Sequence, residues 1–182
     1  MDYSPPTLPE VYREHGRQVW RVLRRLGVPE AEANDATQDV FLVVHRKLAT
    51  FEGRSRMSTW LFQICLRVAS DRRRSVHQQR VTLGAPLEHV AAEHPDAESQ
   101  LRQRQEVAIL EAILDQMDFD QRAVFTMFEL EELSGDEIAE ALQIPLGTVR
   151  SRLRLAREAF RAAVARLEAR ERFSPIQTGA RP

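Results

Sequence analysis

The sequence predicts an all-α protein of two small helical domains joined by a flexible linker, the second domain carrying a helix-turn-helix. Three observations predict it. Apolar residues recur near a 3.6-residue spacing wherever the chain looks ordered, which is the period of an amphipathic helix. Between Ser75 and Asp96 that periodicity lapses, and Gly84, Pro86 and Pro95 interrupt a stretch of Gln, His and Ala. The 182 residues, 43% of them hydrophobic, suffice for one or two modest cores and no more. The expected division is residues 1–75, a linker at 76–99, residues 100–172 and a loose tail at 173–182.

Each element has its own warrant. Leu8, Val11, Tyr12, Val19, Val22, Leu23 and Leu26 mark a first helix, which Gly27 stops. Pro29 sits where a first helical turn accepts proline, and the run from Glu30 to Leu48 carries Val40, Phe41, Val43, Val44 and Leu48. Phe51 to Ser58, with Gly53, Arg54, Ser55 and Arg56, reads as a loop. A third helix runs from about Thr59 through Arg74, with Trp60, Leu61, Ile64 and Val68 on one face. Beyond the linker, Leu101, Val107, Ala108, Leu110, Ile113, Leu114 and Met117 resume the helical pattern, followed by Ala123, Val124, Phe125, Phe128 and Leu130. Ser134 and Glu137 have the spacing of a capping box, so a short helix starts there and reaches Leu142. Gln143-Ile144-Pro145 breaks it, and a last helix extends from near Leu146 to about Arg172.

Composition narrows the function. The one cysteine, Cys65, lies among apolar residues, which leaves no disulfide framework or cysteine metal cluster and fits a reducing cytoplasm. No apolar run approaches the roughly 18 residues of a membrane helix, and Met1-Asp2-Tyr3-Ser4-Pro5-Pro6 lacks the features of a signal peptide, so membrane insertion and export are not expected. An enzyme finds little support: His15, His45, His77, His89 and His94 form no metal-ligand spacing, and neither a Gly-rich phosphate loop nor a Gly-x-Ser-x-Gly motif occurs. No catalytic residue, cofactor or metal is assigned.

The net charge of -1 conceals a strong segregation. From Arg54 to Arg80 the bases Arg54, Arg56, Arg67, Arg72, Arg73, Arg74 and Arg80 face Asp71 alone, and from Arg150 to Arg170 seven arginines face Glu158 and Glu168. Between them Glu129, Glu131, Glu132, Asp136, Glu137 and Glu140 form an acidic block. Two separated basic stretches suggest two contacts with DNA. Lys47 is the only lysine; arginine's planar fork suits phosphate and guanine edges, although a GC-rich genome produces the same bias.

Ser134 to Leu153 has the length of a helix, a tight turn and a second helix. Ile138, Ala139 and Leu142 are placed to pack against Val149, Leu153, Ala156 and Phe160, which share one helical face. Thr148, Arg150, Ser151, Arg152 and Arg154 are then left toward solvent or DNA near a helix N-terminus. An amphipathic hairpin whose arginines merely solvate a surface has the same pattern.

The stretch with Glu137-Ile138-Ala139 and Gly147-Thr148-Val149-Arg150-Ser151-Arg152-Leu153 resembles the fourth conserved region of the sigma factors of bacterial RNA polymerase. The resemblance implies that Thr148, Arg150, Ser151, Arg152 and Arg154 read the promoter element about 35 base pairs upstream through the major groove. Where the family usually has arginine just before the inward alanine, this chain has Leu155. Ala33-Asn-Asp-Ala-Thr-Gln-Asp-Val-Phe-Leu resembles the family's second-region helix that docks on core polymerase, which implies that role for Asp35, Gln38, Asp39 and Leu42. Their i, i+3, i+4, i+7 spacing places them on one face, with Phe41 and Val44 elsewhere.

Thr59 to Ile64 followed by Asp71-Arg72-Arg73-Arg74 resembles the part of the second region that engages the melted element near position 10 upstream, with Arg54, Arg56, Arg72, Arg73 and Arg74 as the implied contacts. Trp60 offers a stacking face, yet its spacing with Leu61 and Ile64 is also that of a core residue. The absence of room for a third sigma domain points to the extracytoplasmic-function group. The resemblance thus implies core RNA polymerase, promoter DNA and an anti-sigma protein as partners. The rival reading is a stand-alone helix-turn-helix regulator whose first half senses a ligand or dimerises; it explains Ser134 to Leu153 equally well but leaves the Asp35 to Leu42 pattern and the arginines from Arg67 to Arg74 as coincidences.

Overall fold

The computed structural model describes residues 6–83 and 97–173. Its order is α1 (Leu8–Arg25), α2 (Glu30–Lys47) with a 3-10 turn at Leu48–Thr50, α3 (Met57–Leu83), α4 (Ala97–Leu114), α5 (Phe119–Phe125) continuing as a π-helical turn at Thr126–Leu130, α6 (Gly135–Leu142) and α7 (Leu146–Phe173). The all-helical expectation holds. Pro29 stands at the N-cap of α2, one step before its first turn. α3 is longer than the periodicity predicts: helical backbone continues past Arg74 to Leu83, into the stretch expected as linker, because Arg, Gln and Leu propagate a helix without an apolar stripe. Residues 84–96, and the tail at 174–182, lie outside the described residues, as does the start at 1–5.

Helix ends follow their local chemistry. At α1, the Thr7 backbone N–H and hydroxyl both donate to the Glu10 carboxylate, at 2.7 Å each. Its other end closes in a Schellman motif: Val28 N–H donates to Leu23 O at 3.0 Å and Gly27 N–H to Arg24 O at 2.9 Å. Gly27 takes φ +96°, the left-handed region that a side chain resists. α6 ends in the same way, with Ile144 N–H on Ala139 O at 3.1 Å and Gln143 N–H on Glu140 O at 3.3 Å, but here a non-glycine residue, Gln143, holds φ +54°.

α1, α2 and α3 pack through Val11, Val19, Val22, Leu23, Val40, Val44, Leu61, Phe62 and Cys65, all buried. Burial pushes the Cys65 thiol well above its ordinary range. The same core continues without a break into Ala123, Val124, Met127, Leu133, Ile138, Val149 and Leu153, so the two halves of the chain share it. A second cluster joins Ile113, Leu114, Met117 and Phe125 to Ala156 and Ala163, with Phe160 stacked on Phe125 at 5.1 Å. The inward face of α7 is therefore split. Val149 and Leu153 serve the shared core beside Ile138, whereas Ala156 and Phe160 serve the second cluster.

Arg122 lies in the seam between the halves and is 3% exposed. Its Nε donates to Arg25 O, its Nη2 to Arg24 O at 3.2 Å, and its Nη1 pairs with Asp115. A side chain from α5 thus caps the C-terminus of α1, where unpaired carbonyls and the helix dipole favour a cation. The cap lies close against Gly27: a Cβ there would lie 3.0 Å from Arg122 Nη1, so the guanidinium would have to shift. Around it Arg24 pairs with Glu111, while Glu131 accepts from Arg25 Nη1 and Gln18 Nε2 at 2.7 Å each.

Replacing Arg122 by Met keeps apolar bulk but leaves the Arg25 carbonyl without its donor. Urea unfolding of Arg122→Met is expected to show a loss of about 2–4 kcal/mol, and a loss below about 1 kcal/mol would mean that the cap does not hold the halves together. Ser134 offers a pH-dependent check. Bonds from the Ser134 backbone N–H and then its hydroxyl hold the Glu137 carboxyl below its ordinary range. A depressed carboxyl contributes stability above its unfolded pKa of about 4.3 and loses it as pH falls through the folded value. Ser134→Ala should therefore cost about 1 kcal/mol at neutral pH, and the difference from the parent protein should shrink as pH falls below about 4.

Candidate docking and nucleic-acid interfaces

The helix-turn-helix forms as its residues direct. Ser134 accepts from Glu137 N–H at 3.2 Å while Glu137 accepts from Ser134 N–H at 2.8 Å, closing both arms of the capping box. Ile138 is fully buried between α6 and α7, and Val149 and Leu153 meet it from the other side. This fixes the rotation of α7. Its outward stripe is Gly147, Arg150, Ser151, Arg154, Leu155 and Glu158, all exposed, at i, i+3, i+4, i+7, i+8 and i+11.

That stripe sorts the candidate residues. Arg150, Ser151 and Arg154 stand on it, Arg150 with no ion-pair partner among the described residues and Arg154 on Glu158 at 2.7 Å. Thr148 is half-buried, and Arg152 turns sideways to pair with Asp120 of α5. Leu155, 38% exposed, joins the stripe, although the family resemblance assigns it no contact. Its position after Arg154 was the available signal, since i+4 from Ser151 puts it on the same face.

On α2, Asp35, Gln38, Asp39 and Leu42 are all exposed and form the single stripe that their spacing requires. Beside it Leu8, Tyr12, Gln38, Phe41, Leu42 and His45 line an open groove of about 380 Å³. Tyr12, 58% exposed, sets its ring edge-on to Phe41 at 4.8 Å. Its helical spacing in α1 reads as core, and only the position of α2 turns it into part of a surface. Leu42 is 55% exposed, so this stripe joins carboxylates to apolar surface.

The basic residues around α3 fall into two groups. Arg54 and Arg56 precede the helix, and Arg72 lies sixteen residues beyond Arg56, about 24 Å along the axis at about 1.5 Å per residue. Arg54 pairs with Glu52 at 2.6 Å, and Arg56 reaches across the seam to Glu137 at 3.1 Å. Arg72 turns to α2, donating to Asp39 at 2.6 Å and Glu32 at 3.3 Å; burial opposes its charge, but these two carboxylates hold its pKa above the ordinary value. Arg73 lies over Phe119 of α5 at 4.9 Å, and Arg74 pairs with Asp71 at 2.8 Å. Trp60 is half-buried against Phe51 at 5.0 Å, which makes it chiefly a packing residue. Among the described residues, no helix is long and apolar enough to cross a membrane.

Two halves, each with an exposed face of its own, match two family models. Residues 11–80 match sigma-70 region 2, and residues 108–160 match sigma-70 region 4. The sigma-H factor of Pseudomonas aeruginosa is 36% identical over 142 residues, which cover 73% of this chain and 73% of that protein. The chain belongs to the sigma-70 family, in its extracytoplasmic-function group. The extracytoplasmic-function sigma-E factor of Escherichia coli is 33% identical over 143 residues, covering 73% of this chain and 74% of that protein. SigE of Mycolicibacterium smegmatis is 32% identical over 88% of this chain, which spans 63% of the length of that relative.

Solved structures show the same fold. The sigma factor RpoE of Bartonella quintana, in complex with the anti-sigma factor NepR, aligns with a TM-score of 0.72 at 20% identity, over 86% of this chain and 96% of that one. CnrH, in complex with the cytosolic domain of CnrY, aligns with a TM-score of 0.64 at 22% identity, over 87% of each chain. The region 2 match takes in most of α1, all of α2 and most of α3. The region 4 match runs from within α4 to the middle of α7, where the outward stripe lies.

Proposed function

We propose that this sigma factor docks on core RNA polymerase through α2 and directs it to promoters, acting in the cytoplasm as an initiation factor that catalyses no reaction of its own. The observation that carries this reading is the pair of separate exposed faces, carboxylate and apolar on α2, basic on α7, each within its own sigma region. Residues 1–75 then serve polymerase docking and the element near position 10, and residues 100–172 the element near position 35, with 76–99 as the connection and 173–182 as a tail. Asp35, Gln38, Asp39 and Leu42 form the docking face. Arg150, Ser151 and Arg154 enter the upstream major groove, with Thr148 and Arg152 supporting them from the flank. Arg54, Arg56, Arg72, Arg73 and Arg74 hold the melted strand. An anti-sigma protein is a further partner, a reading supported by NepR on the Bartonella relative.

The shared core bears on how this works. Elements about 25 base pairs apart are separated by about 85 Å at about 3.4 Å per step, whereas a compact chain of this length has a radius of gyration of about 16 Å and a diameter near about 40 Å. Binding both elements at once therefore requires the halves to part at the seam. Parting also frees Arg56 from Glu137 and Arg73 from Phe119, so that two of the strand-holding arginines, already exposed, lose their partners across the seam.

Gel filtration with sigma-free core polymerase tests the docking. The parent chain should co-elute with core, and Asp35→Ala with Gln38→Ala should weaken that co-elution severalfold; a free chain that dimerises and binds duplex DNA unaided would instead indicate a stand-alone regulator. The stripe on α7 makes a finer prediction. In the holoenzyme, Arg150→Ala should reduce upstream-element affinity about tenfold and relax preference at one base pair, whereas Arg152→Ala, whose partner is Asp120, should cost less. Equal losses in a competition binding assay would contradict the orientation of α7.

A further inference from the structure

We infer that Leu155 is a base-reading residue which contacts the methyl group of a thymine in the upstream element. The inference rests on the DNA-binding role proposed for α7. Every other large apolar side chain described on that helix has a packing partner: Val149 and Leu153 in the shared core, and Phe160, Val164 and Leu167 against the second cluster, while Leu146 is half-buried. Leu155 alone among them is exposed, and it is held outward because its neighbours Leu153 and Ala156 are 7% and 0% exposed. On the stripe it is preceded by Arg150, Ser151 and Arg154, polar groups suited to DNA, and followed by Glu158, which pairs with Arg154 at 2.7 Å.

A lone exposed leucine is ordinary on a protein surface. Here it directly follows Arg150, Ser151 and Arg154 on a face that would otherwise meet phosphates and base edges, and it has no donor or acceptor for either. In a major groove the one apolar feature a base pair presents is the C5-methyl of thymine, which apolar side chains contact. The thymine methyl is thus the base feature that matches the chemistry of this side chain. Position adds a second constraint. Leu155 is five residues beyond Arg150, or about 7.5 Å along the helix, which corresponds to about two base-pair steps. The thymine should therefore lie within two or three base pairs of the position that Arg150 reads.

The test uses holoenzyme assembled from the full chain and core polymerase, on an upstream element first selected from randomised duplexes. Each thymine is then replaced in turn by deoxyuridine, which removes only the methyl and leaves the base-pairing edge unchanged. One replacement, two or three pairs from the site at which Arg150→Ala relaxes preference, should weaken binding by about three- to fivefold, the worth of one buried methyl. With Leu155→Ala that replacement should have no effect. Leu155 is exposed, so the variant should melt at the parent temperature, which separates contact from folding. Sequence-specific binding with no deoxyuridine-sensitive thymine, or with sensitivity that persists in Leu155→Ala, would overturn the inference while leaving the sigma assignment intact. Failure to form a holoenzyme or to select any element would instead overturn the function on which it rests.

Discussion

A guanidinium placed on the end of a helix that belongs to the other half of the chain ties this molecule together. Arg122 sits 97 residues from Arg25, whose carbonyl accepts from its Nε, and it is almost wholly removed from solvent. Burial lowers its pKa, yet the ordinary value is so high that the group stays charged, and the charge is met by Asp115 and by the carbonyl end of α1. Gly27 favours the approach twice over, by adopting a left-handed φ and by having no Cβ to press on the guanidinium. Without that geometry the guanidinium would keep Asp115 but lose the two α1 carbonyls it caps, leaving a largely buried cation with only part of its partners.

The rotation of α7 follows from what that core demands. Val149 and Leu153 point to Ile138, and Ala156 and Ala163 point to Leu114 and Phe125, so the helix is gripped along one side by two clusters in succession. What remains is a narrow outward stripe. Arg152 falls beside it and is taken by Asp120, and Arg157 is likewise engaged by Glu129 at 2.6 Å and Phe128 at 5.1 Å. The residues left for a ligand are set by packing on the opposite side, since a helix cannot present all of its arginines at once.

α2 is coupled to its neighbours in a similar way. Asp39 belongs to the exposed face of α2, but it also holds Arg72 of α3, with Glu32 as a second anchor. Exposed pairs of this kind contribute little stability on their own. Their importance is positional: the arginine proposed for strand capture and a carboxylate proposed for docking share one hydrogen bond, which ties the orientation of one side chain to that of the other. The seam adds the same kind of linkage through Arg56 and Glu137, which joins the loop before α3 to the capping box of α6.

The helices, most of their ends and the residues of the helix-turn-helix were determined by the sequence itself, because periodicity, capping pairs such as Ser134 with Glu137, and stops such as Gly27 act over a few residues. The same locality explains why the α2 stripe of Asp35, Gln38, Asp39 and Leu42 could be read in advance. Which face of each helix meets another helix is not a local property. It took the tertiary structure to place Tyr12 at a groove rather than in the core, to turn Arg152 onto Asp120 and leave Leu155 outward, and to bury Arg122 on a carbonyl at the far end of the chain. Spacing fixes the angles between side chains on one helix, but the direction they face depends on surfaces brought together from distant parts of the sequence.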